Sequence, residues 1–288
     1  MVVQVERKLI ALDVDGTLIT SDGRITDENK AAIRAAQAAG HVVAVCTGRA
    51  HDAIALLLME EGLGDLPVSG SNGAATMVDG QLIDCIPMKR DVALEVATWL
   101  DAQKFGHKIY TDLGVYVQRD YFSRMEADLA LAPVGKVPHS EVLARMKRYT
   151  QRFPVTFVDG VADVPNDAKI LKFYVYTPSA GRKAESRRFG EGVEHVMVTT
   201  SLPNNIEISD TKGHKGNGAC ALARHFGIPM EHVVVMGDNY NDMGMFEVAG
   251  LAVAMGNGED AMKEMADVVT LTNDESGVAH AIYEYVLK

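Results

Sequence analysis

Short apolar runs alternate with stretches whose apolar residues recur at helical spacing, and this rhythm marks both ends of the chain. "KLIALDV" (8–14) predicts a strand. "TDENKAAIRAAQAAG" (26–40) predicts a helix, with Thr26 as its N-cap, acids in its first turn and Gly40 at its end. "HVVAVCTGR" (41–49) and "LPVSGSNGA" (66–74) read as further strands, with "HDAIALLLMEEGL" (51–63) a helix between them. The same grammar returns near the C-terminus. "HKGNGACALARHFG" is helical, "EHVVVMGD", "AGLAVAMG" and "ADVVTLT" are strands, and "DAMKEMAD" and "GVAHAIYEYVLK" supply later helices. These strands are continuous apolar runs rather than alternating ones, as expected when helices cover both faces of a parallel sheet. The fold class expected is α/β, with a Rossmann-like, doubly wound parallel-sheet core.

Between Pro87 and Ser201 the pattern changes. "DVALEVATWLDAQ" is an amphipathic helix holding the single tryptophan, Trp99. "HKIYTDLGVYVQR" reads as a hairpin turning at Asp112-Leu113-Gly114. "KILKFYVYT" and "HVMVTT" are strands, with the polar helix "SAGRKAESRRFG" between them. Aromatics gather here at Tyr110, Tyr116, Tyr121, Phe122, Phe173, Tyr174 and Tyr176, more often sheet core than ligand contacts. The organisation expected is a core from 1–86 and 202–288, interrupted by an α+β domain over 87–201. Pro87 and Pro203 would mark the crossings and serve as hinges.

Totals narrow the function. A chain of 288 residues is long for one compact core, which agrees with two domains. No apolar run approaches the roughly 18 residues of a membrane span, and "MVVQVERKLI" leads into the first strand without the features of a signal peptide. Cys46, Cys85 and Cys220 are widely spaced and odd in number, which argues against a disulfide framework; a cytoplasmic location fits. A formal net charge of −11 disfavours nucleic acid or an anionic membrane surface as partner. It also means that any bound phosphate must find positive charge locally, from a metal, a lysine or aimed amides.

The chemistry gathers at strand ends, where open α/β sheets bind ligands. "LIALDVDGTL" ends the first strand in Asp13 and Asp15, two residues apart and so on one side of an extended chain. Crowding both charges costs energy unless a cation or a shared proton intervenes. "CTGR" puts Thr47 and Gly48 at the tip of the second strand. "GDNYND" adds Asp238, Asn241 and Asp242, and "EISDTKGHKGNG" offers Lys212 and Lys215 at the start of a helix. Taken singly, each has an ordinary explanation: a surface turn, an Asx-rich loop, a solvated lysine. Their joint arrival at equivalent strand ends does not.

Clustered carboxylates with few His or Cys favour a hard cation, Mg²⁺ before zinc. A carboxylate sharing that ion with a phosphoryl group can attack phosphorus in line. Thr47, the Gly48 amide and Lys215 suit the equatorial oxygens, and the second aspartate suits proton transfer to the leaving oxygen and from water.

"DVDGTL", "TGR", Lys215 and "GDNYND" resemble, in order, the four motifs of the haloacid dehalogenase superfamily of phosphohydrolases. The inserted domain is similar to the large α/β cap of its Cof-type branch (subclass IIB), as are "SNGA" (71–74), "NNIEI", "HKGNG" and "AVAMGNG". The hairpin in the insertion and the ending "AHAIYEYVLK" look most like the sugar-phosphate phosphatases. The resemblance implies that Asp13 is the nucleophile and a Mg²⁺ ligand, and that Asp15 is the acid/base and binds Mg²⁺ through its main-chain carbonyl. It further implies Thr47 and Gly48 holding the phosphoryl group and Lys215 neutralising it. Asp238 would be the third metal ligand, Asn241 a phosphate contact and Asp242 a support of the metal shell. The inserted domain would select a small phosphorylated metabolite.

Other readings remain at this stage. A signalling receiver also clusters Asp, Thr and Lys, but is one small domain without an aspartate at the Asp15 spacing. A dehalogenase has no need of an acid there. A phosphosugar mutase, a phosphatase for flavin or pyridoxal phosphate, and a binding protein that has lost catalysis share the core. The sequence does not give the oligomeric state.

Overall fold

The computed structural model describes residues 6–133, 137–200 and 204–288, and the chain divides into two compact units. The first joins the chain up to Cys85 with His214–Lys288, and the second is Ile86–Gly213.

In chain order the first unit begins with strands β1 (Leu9–Leu12), β2 (Val42–Cys46), β3 (Val68–Gly70), β4 (Ala75–Val78) and β5 (Gln81–Cys85), with helices α1 (Asp27–Ala38) and α2 (His51–Glu60) between the first three. The second unit holds α3 (Arg90–Ala102), β6 (His107–Thr111), β7 (Gly114–Gln118), α4 (Tyr121–Leu129), α5 (His139–Arg152), β8 (Val155–Val158), β9 (Ile170–Tyr176), α6 (Ala180–Glu191), β10 (Val196–Thr199) and β11 (Asn205–Asp210). The first unit resumes with α7 (Lys215–Phe226), β12 (Val233–Gly237), α8 (Met243–Phe246), β13 (Leu251–Ala254), α9 (Asp260–Met265), β14 (Val268–Val269) and α10 (Gly277–Ala281).

The sheet of the first unit runs β14-β13-β12-β1-β2-β3-β4-β5 and is parallel from β14 to β3. Strand β1 shows why these strands read as unbroken apolar runs. Ile10 and Leu12 join one core cluster with Ile33 of α1 and Val278 of α10, while Leu9 and Ala11 join a second with Ala219 and Leu222 of α7. Both faces are covered, so neither parity of the strand is polar. Each of the leucine, isoleucine and valine side chains among them contributes roughly 1.5–3 kcal/mol when taken from water. Helix α1 begins as read: the Thr26 hydroxyl accepts the Asn29 N–H, and Asp27 and Glu28 occupy the first turn.

Two strands at the edge go beyond the sequence reading. β3–β4 and β4–β5 are antiparallel, the last pair turning at Asp79-Gly80, both with positive φ. The Asp-Gly pair between apolar runs in "ATMVDGQLID" is a hairpin signal.

The sheet of the second unit runs β10-β11-β9-β6-β7-β8, antiparallel except between β7 and β8. Helix α3 buries Ala93, Val96, Ala97 and Leu100 against Phe173, Ile206 and Ile208, and Trp99 stacks on Phe189 of α6 at 4.1 Å. Helices α4 and α5 cover Val117 and Tyr176 with Tyr121, Met125, Leu129 and Leu143. The β6–β7 hairpin turns at Asp112-Leu113, since Thr111 pairs with Gly114. Of the seven aromatics, Tyr116, Tyr121, Phe173 and Tyr176 are core residues.

The second junction differs from the expected 201/202. Strand β11 pairs with β9 and β10, so its hydrogen bonds keep residues 205–210 in the second unit, which continues to Gly213. Pro203, the expected hinge, lies outside the described residues. Among the described residues, no helix is long and apolar enough to cross a membrane.

Candidate active site

The register of the parallel strands sets Leu12 beside both Val45 and Met236, so the chain leaves β1, β2 and β12 at neighbouring points. Asp13 is the first residue past β1; its N–H donates to the Met236 carbonyl at 3.0 Å and its side chain is buried. The chain then turns sharply at Gly16, whose φ is +86°. A Cβ there would stand 2.3 Å from Oδ2 of Asp238, so glycine is required by conformation and by space. Thr17 follows, donating its hydroxyl hydrogen to Asp238 Oδ1 at 3.1 Å.

Lys215, the first residue of α7, is wholly buried. Its ammonium donates to Asp13 Oδ1 and, at 2.5 Å, to Asp242 Oδ1. The other oxygen of Asp242 accepts the N–H groups of Asp238 and Asn239, at 2.9 and 3.0 Å. Asp242 therefore spends both oxygens on protein donors. Asp13, Asp238 and Asp242 each bring a carboxylate oxygen within 4.8 Å of the others.

The electrostatics follow from this crowding. Burial pushes the Asp13 carboxyl well above the usual range; Lys215 pulls it back, while Asp242, Asp238 and Asp15 push it up again. Burial also leads the rise of Asp238, to about 6, with Asp242 adding to it. For Lys215 burial works against the ammonium, but Asp13 and Asp242 outweigh it and raise its pKa. With all three carboxylates ionised, one ammonium would leave negative charge uncompensated in a buried place. That excess, presented entirely through oxygen, fits a hard divalent cation such as Mg²⁺.

Asp15 stands apart from this group. Arg49 forks its carboxylate, Nη2 to Oδ1 at 2.6 Å and Nε to Oδ2 at 2.9 Å. The metal role expected of Asp15 concerned its main-chain carbonyl, to which the fork is no obstacle. Thr47, just past β2, is buried; its N–H donates to the Ser69 carbonyl at 2.9 Å, and its hydroxyl accepts the Arg49 N–H at 3.2 Å. Gly48 lies half-buried at the bend between them. Asn241 donates through Nδ2 to Oδ1 of Asn72 at 3.4 Å. Lys212, the other lysine offered by the sequence, belongs to the second unit, where its N–H donates to Asp210.

Thus the eight residues expected from four separate stretches all fall in the first unit, and Asp13, Lys215, Asp238 and Asp242 form one connected cluster. Three participants were not assigned from the sequence: Arg49, Thr17 and Asn72. Arg49 and Asn72 sit inside the motifs "TGR" and "SNGA", and Thr17 inside "DVDGTL".

Comparison with known proteins shows the family. The family model for haloacid dehalogenase-like hydrolases matches residues 10–282. Phosphatase YwpJ of Bacillus subtilis (strain 168) is 33% identical over 95% of this chain and 98% of its own. The 5-amino-6-(5-phospho-D-ribitylamino)uracil phosphatase YwtE of the same organism is 29% identical over 96% of each chain. A solved haloacid dehalogenase-like hydrolase from B. subtilis superposes with a TM-score of 0.83 at 28% identity, covering 97% of this chain and all of that one. The chain belongs to the haloacid dehalogenase-like hydrolases, in their Cof-type phosphatase branch. It is a phosphoric monoester hydrolase.

Proposed function

We propose that the protein is a Mg²⁺-dependent phosphatase of small phosphate monoesters, sugar phosphates foremost, working through an aspartyl-phosphate on Asp13 in the cytoplasm. The observation that carries this reading is the buried Asp13 carboxylate beside the Lys215 ammonium, in a cluster with Asp238 and Asp242. Asp13, Asp238 and the Asp15 carbonyl would hold Mg²⁺, which when bound offsets the charge of the phosphoryl group and of the carboxylates around it. Asp242, with both oxygens engaged by Lys215 and by two N–H groups, supports this arrangement from behind.

In the first half of the reaction an Asp13 oxygen attacks phosphorus and the bond to the ester oxygen breaks. Asp15 gives its proton to that leaving oxygen. In the second half Asp15 takes a proton from water as the water oxygen attacks phosphorus and releases the Asp13 carboxylate. The Thr47 hydroxyl, the Gly48 N–H, the Asn241 amide and Lys215 supply donors to the phosphoryl oxygens. All of these residues address the phosphoryl group and none reads the rest of the substrate, so that choice falls to the second unit.

A second substrate reading has its own support. The relative YwtE is named for a phosphorylated ribityl chain on a uracil, a polyol phosphate bearing a ring. Phosphate release from a panel of sugar phosphates, ribityl phosphates and pyridoxal phosphate, with Mg²⁺ and with chelator, tests both. Highest kcat/KM on a sugar phosphate supports the first reading; highest on the ribityl-uracil phosphate supports the second. Release unaffected by chelator contradicts the metal role.

A further inference from the structure

The loop after β3 is held in an unusual backbone state. Ser71, Asn72 and Gly73 follow one another with φ of 53°, 57° and 85°, and the first two are buried side chains rather than glycines. Asparagine tolerates the left-handed region better than most residues, but such conformations persist only where the surroundings over-determine them. Here the surroundings are the phosphate-side loops. The Ser71 N–H donates to the Arg49 carbonyl at 2.8 Å and the Asn72 N–H to the Thr47 carbonyl at 2.9 Å. A Cβ on Gly73 would meet the His214 carbonyl at 2.3 Å, which seats the loop against the residue before Lys215. From this fixed position Asn72 presents Oδ1 to the Asn241 amide, 169 residues away in sequence.

The polarity of that bond has a consequence. A carboxamide carries donors on one side and an acceptor on the other. Phosphoryl oxygens accept only, so an asparagine that contacts them must turn its NH2 group towards them. Nδ2 of Asn241 has two hydrogens; one goes to Asn72 Oδ1, and the other is left to give. Rotated by half a turn, the same amide would set its carbonyl oxygen against Asn72 Oδ1 and against the phosphoryl oxygens alike. We propose that Asn72 is a positioning residue: its side-chain carbonyl fixes the Asn241 amide with the NH2 group facing the phosphoryl site. This rests on the reading of Asn241 as a phosphate contact.

The backbone role of Asn72 and its side-chain role can be separated, because glycine adopts the left-handed conformation freely. Asn72→Gly keeps the loop and removes the acceptor. Asn72→Gly, Asn241→Ala and the double variant are prepared with Mg²⁺. Each is assayed for inhibition by inorganic phosphate, for kcat/KM on an aryl phosphate and for its urea midpoint. Each single variant is expected to weaken phosphate binding by about tenfold, the scale of one hydrogen bond to a charged group. The double variant should be no weaker than Asn241→Ala alone, since the proposed route from Asn72 to the phosphate runs through Asn241. Phosphate affinity unchanged in Asn72→Gly while Asn241→Ala loses it overturns the positioning role, as do effects that multiply in the double variant. An unchanged Asn241→Ala overturns the phosphate contact itself, and the positioning role falls with it.

Discussion

Arg49 grips Asp15 by both carboxylate oxygens, at 2.6 and 2.9 Å, across 34 residues of sequence. A two-pronged guanidinium fixes the plane of a carboxylate, which a lysine ammonium does not. If Asp15 transfers the proton to the leaving oxygen, its removal should matter most where that oxygen is a poor leaving group. Asp15→Asn is expected to lower kcat/KM on sugar phosphates by about 10²–10⁴-fold, the usual scale of acid–base help, and much less on an activated aryl phosphate. Arg49→Lys should follow the same ordering with smaller losses. Equal losses on both substrate types would remove Asp15 from the proton path.

Lys215 is expected to serve stability as well as the phosphoryl group. Replacing it by methionine leaves Asp13 and Asp242 buried without their cation, a change costing about 3–5 kcal/mol. The urea midpoint should fall accordingly. Activity should fall on every substrate by a similar factor, as for Thr47→Ala, because all carry the same phosphoryl group. A midpoint unchanged at neutral pH would mean that the carboxylates are neutral without the lysine.

Asp13, Asp238 and the Asp15 main-chain carbonyl would supply the oxygens of the proposed metal site, so chelation should abolish turnover and Mg²⁺ should restore it. Calcium, with a larger and looser shell, should inhibit. Asp238→Asn should raise the Mg²⁺ concentration needed for half-maximal rate. Full activity with Ca²⁺, or an Asp238→Asn variant with unchanged Mg²⁺ demand, would argue against this ligand set.

His107 of the second unit is buried, and burial lowers its pKa to about 4 from an ordinary 6.5. The folded state therefore refuses a proton that the unfolded chain accepts between those values. Stability from this group is intact above pH 6.5, declines as pH falls, and below pH 4 is lower by about 3 kcal/mol. Urea midpoints at several pH values should show the wild type losing more stability from pH 6.5 to 4 than His107→Gln. Parallel pH profiles for the two would show that His107 takes up its proton equally in the folded and unfolded states.

Much of this was legible in the sequence for physical reasons. Continuous apolar strands such as "LIAL" require a sheet covered twice, and carboxylates at strand tips require a cation or a proton. The expected 201/202 boundary puts Asn205–Asp210 in the first unit because a stretch of sequence does not name its strand partner; pairing with β9 places it in the second. The buried Lys172–Glu207 ion pair, at 2.9 Å, links two residues 35 apart that local sequence reads as solvated. Arg49 and Asn72 were visible as letters in motifs. Their roles depend on which way a side chain points across the strand ends, which spacing along the chain does not carry.

The central claim is that phosphorus becomes bonded to Asp13, and it can be tested by trapping. The enzyme with Mg²⁺ is mixed rapidly with a sugar phosphate labelled at phosphorus, quenched in acid, reduced with borohydride and digested for mass spectrometry. An acyl-phosphate on Asp13 is expected to appear as acid-stable label on the protein within the first turnover, and reduction should convert residue 13 to homoserine. Turnover proceeding with no label on the protein, or with homoserine at another aspartate while residue 13 stays intact, would contradict it.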